Sequence, residues 1–404
     1  MEMIKDFIID IQNSKYFYLL AIAIIFLATK ILGLVTRKFH MPQVVGALLA
    51  GVILGPACLG FISENEFIDN IAEIGVIFLM FAAGFETNLS ELKKAGGPAF
   101  LIALIGVIVP LLGGIGATYL FFPNQDILHM VFVGVVLTAT SVSITVETLK
   151  ELGHLNSRAG NAILGAAIID DILGIVGLTI VTSLKDESVN IAVVLIKIVL
   201  FFIVGAAFAV LFHIFYTKWN RRLNRDVRRY ITVCVSFCLI LAFMAEYFFG
   251  VASITGAYLA GLAVANTPST GYVERRLDTI SYGFFSPVFF ASVGLKVSFS
   301  GMTLSTWLFA IVLVIVAVLT KIIGCGLGAK LTKYTTKESL QIGVGMISRG
   351  EVALIVANKG IDLGLMVPQW VGPVIVTVIV TTIITPILLK IVFKEKKPDS
   401  AQTA

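Results

Sequence analysis

Between Arg158 and Leu184 the only charged residues are Asp170 and Asp171, side by side in an otherwise apolar run. A run of this length spans a bilayer as a helix. At ~1.5 Å per residue, Asp170 lies about 18 Å from the Arg158 end, near the middle of a ~30 Å hydrocarbon core. A carboxylate there costs roughly 2.5–3.5 kcal/mol on insertion scales, so two in succession point to an ion or proton site.

Composition supports a membrane setting. The chain has 404 residues, of which 58% are hydrophobic and only 14% charged. Repeated apolar runs of about 20 residues exclude an ordinary soluble enzyme and indicate a polytopic helical membrane protein. The expected fold is all-α, with thirteen spans near 16–36, 42–60, 67–86, 96–122, 127–149, 158–184, 190–217, 228–249, 252–266, 276–295, 303–330, 337–359 and 370–393. The second and ninth are short and glycine-rich. The first run is expected to be a true span and not a cleaved leader. The tail beyond Phe393 is expected to be too short for a regulatory domain. Cys58, Cys234, Cys238 and Cys325 lack neighbouring ligands for a metal set and read as small apolar residues, so no cofactor is expected.

Basic residues orient the chain. Alternate loops with the C-terminal tail hold twenty-one Lys and Arg, including Arg37, Lys38, Lys150, Arg158 and the cluster Lys218–Arg229; the opposite set holds five. By the positive-inside rule the N-terminus is outside and the C-terminus cytoplasmic. This distribution accounts for the formal net charge of +5, so no nucleic-acid partner is expected. The Lys218–Arg229 loop is also a candidate contact for anionic lipid.

An internal repeat is readable. Gly46-Ala-Leu-Leu-Ala-Gly51 matches Gly256-Ala-Tyr-Leu-Ala-Gly261 at an offset of 210, which also carries Gly84 onto Gly294, Gly114 onto Gly324 and Gly116 onto Gly326. Seven spans separate the copies, so spans 2–6 and 9–13 are expected to form two inverted-topology five-helix repeats, as in secondary transporters. Hydroxyl and glycine clusters in repeat-related spans, Thr138-Ala-Thr-Ser-Val-Ser-Ile-Thr145 and Gly343-Val-Gly-Met-Ile-Ser-Arg-Gly-Glu351, predict discontinuous, crossed helices.

Depth counts converge. At ~1.5 Å per residue from the cytoplasmic loops, Lys321 lies about 14 Å in, Thr140 about 15 Å, and Arg349 and Asp170 about 18 Å. Arg349 is expected to neutralise Glu351 or a helix end, as a structural tie. Successive helix positions differ by about 100°, so one aspartate can pair with Lys321 while the other faces a water-filled cavity. Carboxylates, the Thr138, Thr140 and Ser141 hydroxyls and unwound carbonyls are oxygen ligands suited to a hard cation such as Na⁺. Protons and the cation compete for the same oxygens, and competition suffices for exchange. His40, His129, His154 and His213 sit at span ends and read as interfacial. Glu73, Glu86, Glu147 and Glu246 are expected to face water or a vestibule.

The Asp170-Asp171 pair, the 138–145 stretch, Phe289-Phe-Ala-Ser-Val-Gly-Leu-Lys296 and Arg349-Gly-Glu-Val-Ala-Leu354 together resemble the bacterial cation:proton antiporters of NhaA-type fold, most nearly their NapA-like sodium/proton branch. The resemblance implies a homodimer moving ions by an elevator displacement in the bacterial cytoplasmic membrane. It implies a dimerisation domain in 1–95 and 228–302, an ion-transport core in 96–184 and 303–396, a linker in 185–227 and a cytoplasmic tail in 397–404. By position, Asp171 resembles the main cation ligand, with Asp170 and Thr140 as further candidates, and Asp170 resembles the carboxylate paired with Lys321. The implied activity is electrogenic exchange of Na⁺ or Li⁺ for H⁺, with K⁺/H⁺ or mixed-cation exchange as the alternative and a channel further off.

Overall fold

The computed structural model describes residues 12, 14–38, 41–63, 65–87, 89–185, 190–222, 228–265, 270–296 and 302–394. They form α1 (Phe17–Lys38), α2 (Gln43–Leu54), α3 (Glu66–Glu86), α4 (Leu89–Phe121), α5 (Ile127–Thr138), α6 (Val142–Glu151), α7 (Arg158–Ser183) and α8 (Ile191–Arg222). The second half contains α9 (Arg228–Phe249), α10 (Ser253–Val264), α11 (Thr270–Ile280), α12 (Ser286–Leu295), α13 (Leu304–Leu331), α14 (Thr336–Gly345), α15 (Glu351–Asp362) and α16 (Val371–Phe393). A π-helical turn, Ser281–Phe285, joins α11 to α12.

Helix starts follow local chemistry. Asn65 accepts a hydrogen bond from the Ile68 amide at the head of α3, Asp126 from Leu128 at α5, and Ser157 from Gly160 at α7. Thr335 and Glu338 close a reciprocal capping box at α14. Each side chain satisfies an amide that the helix leaves without an internal partner.

Among the described residues nine helical stretches are long and apolar enough to cross a membrane, counting α5 and α6 as one. The other four expected spans are short or interrupted. α2 and α10 have 12 residues each. The tenth expected span is divided by the π turn, and the twelfth is broken between α14 and α15. The break in the fifth falls at Ala139–Ser141, inside the predicted hydroxyl cluster.

Packing separates into two groups. α4 lies along α13, α7 and α5, with α14 and α16 against α13 and α15 against α5. α1, α2, α3, α9, α10 and α12 pack among themselves, and α8 touches α10 and α9 on one side and α7 on the other. In the second group the backbones nearly touch. A Cβ on Gly51 of α2 would strike the backbone at Ala291 and Gly294 of α12, and one on Gly261 of α10 would strike Phe81 and Gly84 of α3. These are the terminal glycines of the two six-residue repeats. Only glycine permits such an approach, and an inserted methyl must displace a main chain.

Gly261→Val should therefore cost about 1–3 kcal/mol through overpacking. Gly116→Ala, in the interior of α4 where an added Cβ meets nothing within 4 Å, should leave stability unchanged or slightly raised. Thermal denaturation of the detergent-solubilised protein distinguishes the two.

Candidate ion site

Two unwound segments, 139–141 and 346–350, meet back to back between the helices they interrupt. The Ser141 amide donates to the Ser348 carbonyl at 2.7 Å, and the Ser348 hydroxyl donates to the Ser141 carbonyl at 2.8 Å. Thr145 on α6 donates to the Gly345 carbonyl at the end of α14, 2.7 Å away, and lies 2.9 Å from the Ser348 hydroxyl. A backbone freed from helical bonding inside a membrane must find partners within the protein. Here each segment supplies them for the other.

Arg349 completes this knot and is buried, with 1% of its surface exposed. Its guanidinium donates to the Leu137 carbonyl at 2.7 Å and to the Ile347 carbonyl at 2.5 Å. Its own carbonyl accepts from the Thr382 hydroxyl of α16. Leu137 lies in the last turn of α5, where unpaired carbonyls carry the negative end of the helix dipole. Of the two partners open to Arg349 in the sequence, the structure shows the helix end. The Glu351 side chain of the expected charge pair lies outside the described residues.

Asp170 on α7 and Lys321 on α13 form an ion pair with Nζ–Oδ1 2.8 Å, at 2% and 0% exposure. Desolvating two charges costs several kcal/mol each, so the pair holds only while each partner compensates the other. The second Asp170 oxygen, Oδ2, is buried without a hydrogen-bond partner. Asp171, turned about 100° around the helix, is half-exposed. Both aspartates line a cavity of about 70 Å³ with Thr138, Ala139, Gly174 and Val352. Its volume admits a few water-sized ligands.

The cavity thus unites Asp170, Asp171 and Thr138, and Lys321 adjoins it through Asp170. Thr138 donates its hydroxyl proton to the Val135 carbonyl at 2.7 Å, which leaves its oxygen lone pairs available to a cation. Thr140 and Ser141 are buried at 2% exposure and are not among the lining residues. Ser141 instead belongs to the knot. Ser348, Thr145 and Thr382 hold that knot; in the sequence Thr145 and Ser348 fall inside the two stretches expected to unwind but carry no separate role, and Thr382 is not marked at all. A hydroxyl beside an arginine, between Gly345 and Gly350, is the signal that marks Ser348; nothing local marks Thr382, which is 33 residues from its partner.

Among the histidines, His129 lies 3.1 Å from the Gly364 carbonyl, the His154 ring meets the Phe393 ring at a tilt of 31°, and His213 lies 2.8 Å from the Ala263 carbonyl. Each ties together residues distant in sequence; His129 and His154 sit near helix ends, and His213 lies inside α8. His40 lies outside the described residues.

Removing one charge of the buried pair should be worse than removing both. Asp170→Asn or Lys321→Met alone should destabilise the protein by about 3–5 kcal/mol, and the combined variant should recover most of that loss. Thermal denaturation of all four proteins under identical detergent conditions gives the coupling.

Residues 21–395 match the sodium/hydrogen exchanger transmembrane family. The chain is 41% identical over 354 residues to GerT of Bacillus cereus, described as a probable Na⁺/H⁺ antiporter, spanning 86% of this chain and 92% of that protein. It is 39% identical over 372 residues to GerN of the same organism, a Na⁺/H⁺-K⁺ antiporter, spanning 90% and 92%. The fold is shared with the sodium proton antiporter MjNhaP1 of Methanocaldococcus jannaschii, with a TM-score of 0.66 at 18% identity over 92% of this chain and 95% of that one. A chain matched along nearly its whole length, with its charged midplane on the matched helices, is a multi-pass membrane transporter belonging to the sodium/hydrogen exchanger family.

Proposed function

We propose that this protein exchanges Na⁺ or Li⁺ for H⁺ across the bacterial cytoplasmic membrane, electrogenically, as a transporter and not an enzyme. The observation that carries this reading is the adjacency of three titratable groups: the Asp170–Lys321 pair, and Asp171 in a cavity shared with Asp170. In the proton-loaded form Asp171 is protonated and Lys321 is neutralised by Asp170. A cation entering the cavity takes oxygens from Asp171, Thr138 and the second Asp170 oxygen. If it draws Asp170 away from Lys321, the lysine gives up its proton as well. Two protons then leave for one cation, and the cycle moves net charge. If the ion pair survives, one proton leaves and the cycle is electroneutral. Charge per cycle therefore reads the fate of the Lys321 proton.

The NapA-like branch, the inverted repeat and the elevator are part of the same reading. Three features support them. The contacts Gly51–Gly294 and Gly84–Gly261 exchange places under the 210-residue offset, the two interrupted spans bond to each other at their breaks, and packing divides into two groups with α8 in contact with both. In this reading α4–α7 and α13–α16 carry the ion, α1–α3 and α9–α12 form the framework of a homodimer, and the termini are oriented as the basic loops direct. No resident cofactor is required. The Lys218–Arg229 loop, with 223–227 outside the described residues, remains a candidate contact for anionic lipid. K⁺/H⁺ exchange is the second reading, favoured by the 39% identity to GerN.

In proteoliposomes with an imposed pH gradient, Na⁺ or Li⁺ should collapse the gradient and an inside-negative potential should change the rate; K⁺ should act weakly. Asp171→Asn should abolish exchange. Asp170→Asn or Lys321→Ala should remove or reduce the dependence on potential. Sodium-driven proton flux retained in Asp171→Asn would reject the assignment, and unchanged charge per cycle in the Lys321 variant would reject the coupling through that lysine.

A further inference from the structure

The two ends of α7 are buried differently. On the Arg158 side, Ala159 through Ala167 are buried without interruption. From Asp171 to Leu178 every residue is half-exposed, and an added Cβ at Gly174 or Gly177 would meet nothing within 4 Å. The cavity at the aspartates extends along the open half, bounded by Leu178 and by Ala252 at the head of α10. From Asp171 the cavity runs along α7 toward its Ser183 end as far as Leu178, before the buried Thr179 and Val181, while the Arg158 end, which the basic loops assign to the cytoplasm, is sealed.

At the sealed end two neighbouring residues of α6 fasten one packing group to the other. Glu151 accepts the Gln43 amide with both carboxylate oxygens, each at 2.9 Å. It caps α2, whose own N-cap residue, Pro42, makes no side-chain cap. Arg37 of α1 and Lys390 of α16 lie close enough to add Coulombic attraction. Lys150 pairs with Asp278 of α11 at 2.8 Å and sits over the Tyr282 ring, 5.1 Å from its centroid. Both residues line a cavity of about 720 Å³ between α1, α2, α6 and α12. Water there can solvate the charges as they part, so the contacts are breakable within the membrane protein and not only by unfolding.

We propose that Lys150 and Glu151 are the cytoplasmic gate of the transporter. They clamp the ion-carrying helices to the framework while Asp171 faces outward, and both contacts break before the site reaches the cytoplasm. This rests on the alternating-access reading above, and names the positioning residues that set its balance.

The test measures labelling, which is independent of which ion is carried. With the exposed Cys58 replaced by Ser, Gly174→Cys reports the open half of α7. Ala167→Cys, one turn from Asp171 on the same face, reports the sealed half. A membrane-impermeant maleimide is applied to right-side-out and inside-out vesicles without Na⁺. Gly174→Cys should react from outside, and Ala167→Cys should be protected from inside. Adding Glu151→Ala with Asp278→Ala should raise labelling of Ala167→Cys from the cytoplasmic side about ten- to hundredfold, and slow that of Gly174→Cys, because a population shift favours the inward state. Exchanging the charges, Lys150→Asp with Asp278→Lys, should restore protection on the Lys150 side. Glu151→Gln, which keeps one acceptor for the Gln43 amide, should give an intermediate rate and decides the matter where the double variant does not fold. Labelling of Ala167→Cys at the parental rate in Glu151→Gln and in the double variant would overturn the gate, as would inside labelling of the parent as fast as the outside reaction. A chain that carries K⁺ or fails to exchange Na⁺ would leave this result intact, so failure of the ion assignment is told apart from failure of the gate.

Discussion

Inside a bilayer a peptide group that leaves a helix has no water to turn to, and this structure is arranged around satisfying that demand at two places with one contact. The unwound segments at 139–141 and 346–350 bond to each other through Ser141 and Ser348 in both directions. Arg349 bridges the Leu137 carbonyl in the last turn of α5 and the Ile347 carbonyl of the second segment, and Thr382 holds Arg349 from α16. Because the knot closes on itself, the neighbouring polar groups are released from structural duty. Thr138 and the two aspartates can then line a cavity, and Lys321 can be spent on Asp170 alone.

The division of labour between the two buried cations follows from their chemistry. A guanidinium stays charged and presents several donors in a fixed plane, which suits it to bridging two carbonyls at once. An ammonium is a compact charge that gives up its proton when its environment changes, which suits it to the one carboxylate that the transported ion also wants. Arg349 therefore maintains the backbone geometry, and Lys321 takes part in the exchange proposed for it.

Much of this was legible in the chain itself. Apolar length marked the spans, and the hydroxyl cluster at 138–145 and the glycines at 343–350 marked where two of them break. Counting depth placed Asp170, Lys321 and Arg349 in one layer, because a helix converts sequence number into distance. The partner of Arg349 was not decided by counting, since a carbonyl is present at every position and only the fold selects Leu137. The lining of the cavity was not decided either. Thr138, Thr140 and Ser141 lie within four residues, but the helix ends between them, so the hydroxyls diverge and one of the three reaches the aspartates. Gln43 and Glu151, separated by 108 residues, carry no mutual signal in the sequence.

The crossings of α2 with α12 and of α3 with α10 have glycine on both sides. An ordinary interface tolerates drift because one residue grows while its neighbour shrinks. Here neither has anything left to give up, so no compensating change exists at Gly51, Gly294, Gly84 or Gly261. With no side chain between the backbones, there are also no rotamers through which the helices could slip past one another. The four positions hold α2 against α12 and α3 against α10 at backbone contact, and a larger residue at any of them is undone most directly by a return to glycine at the same site.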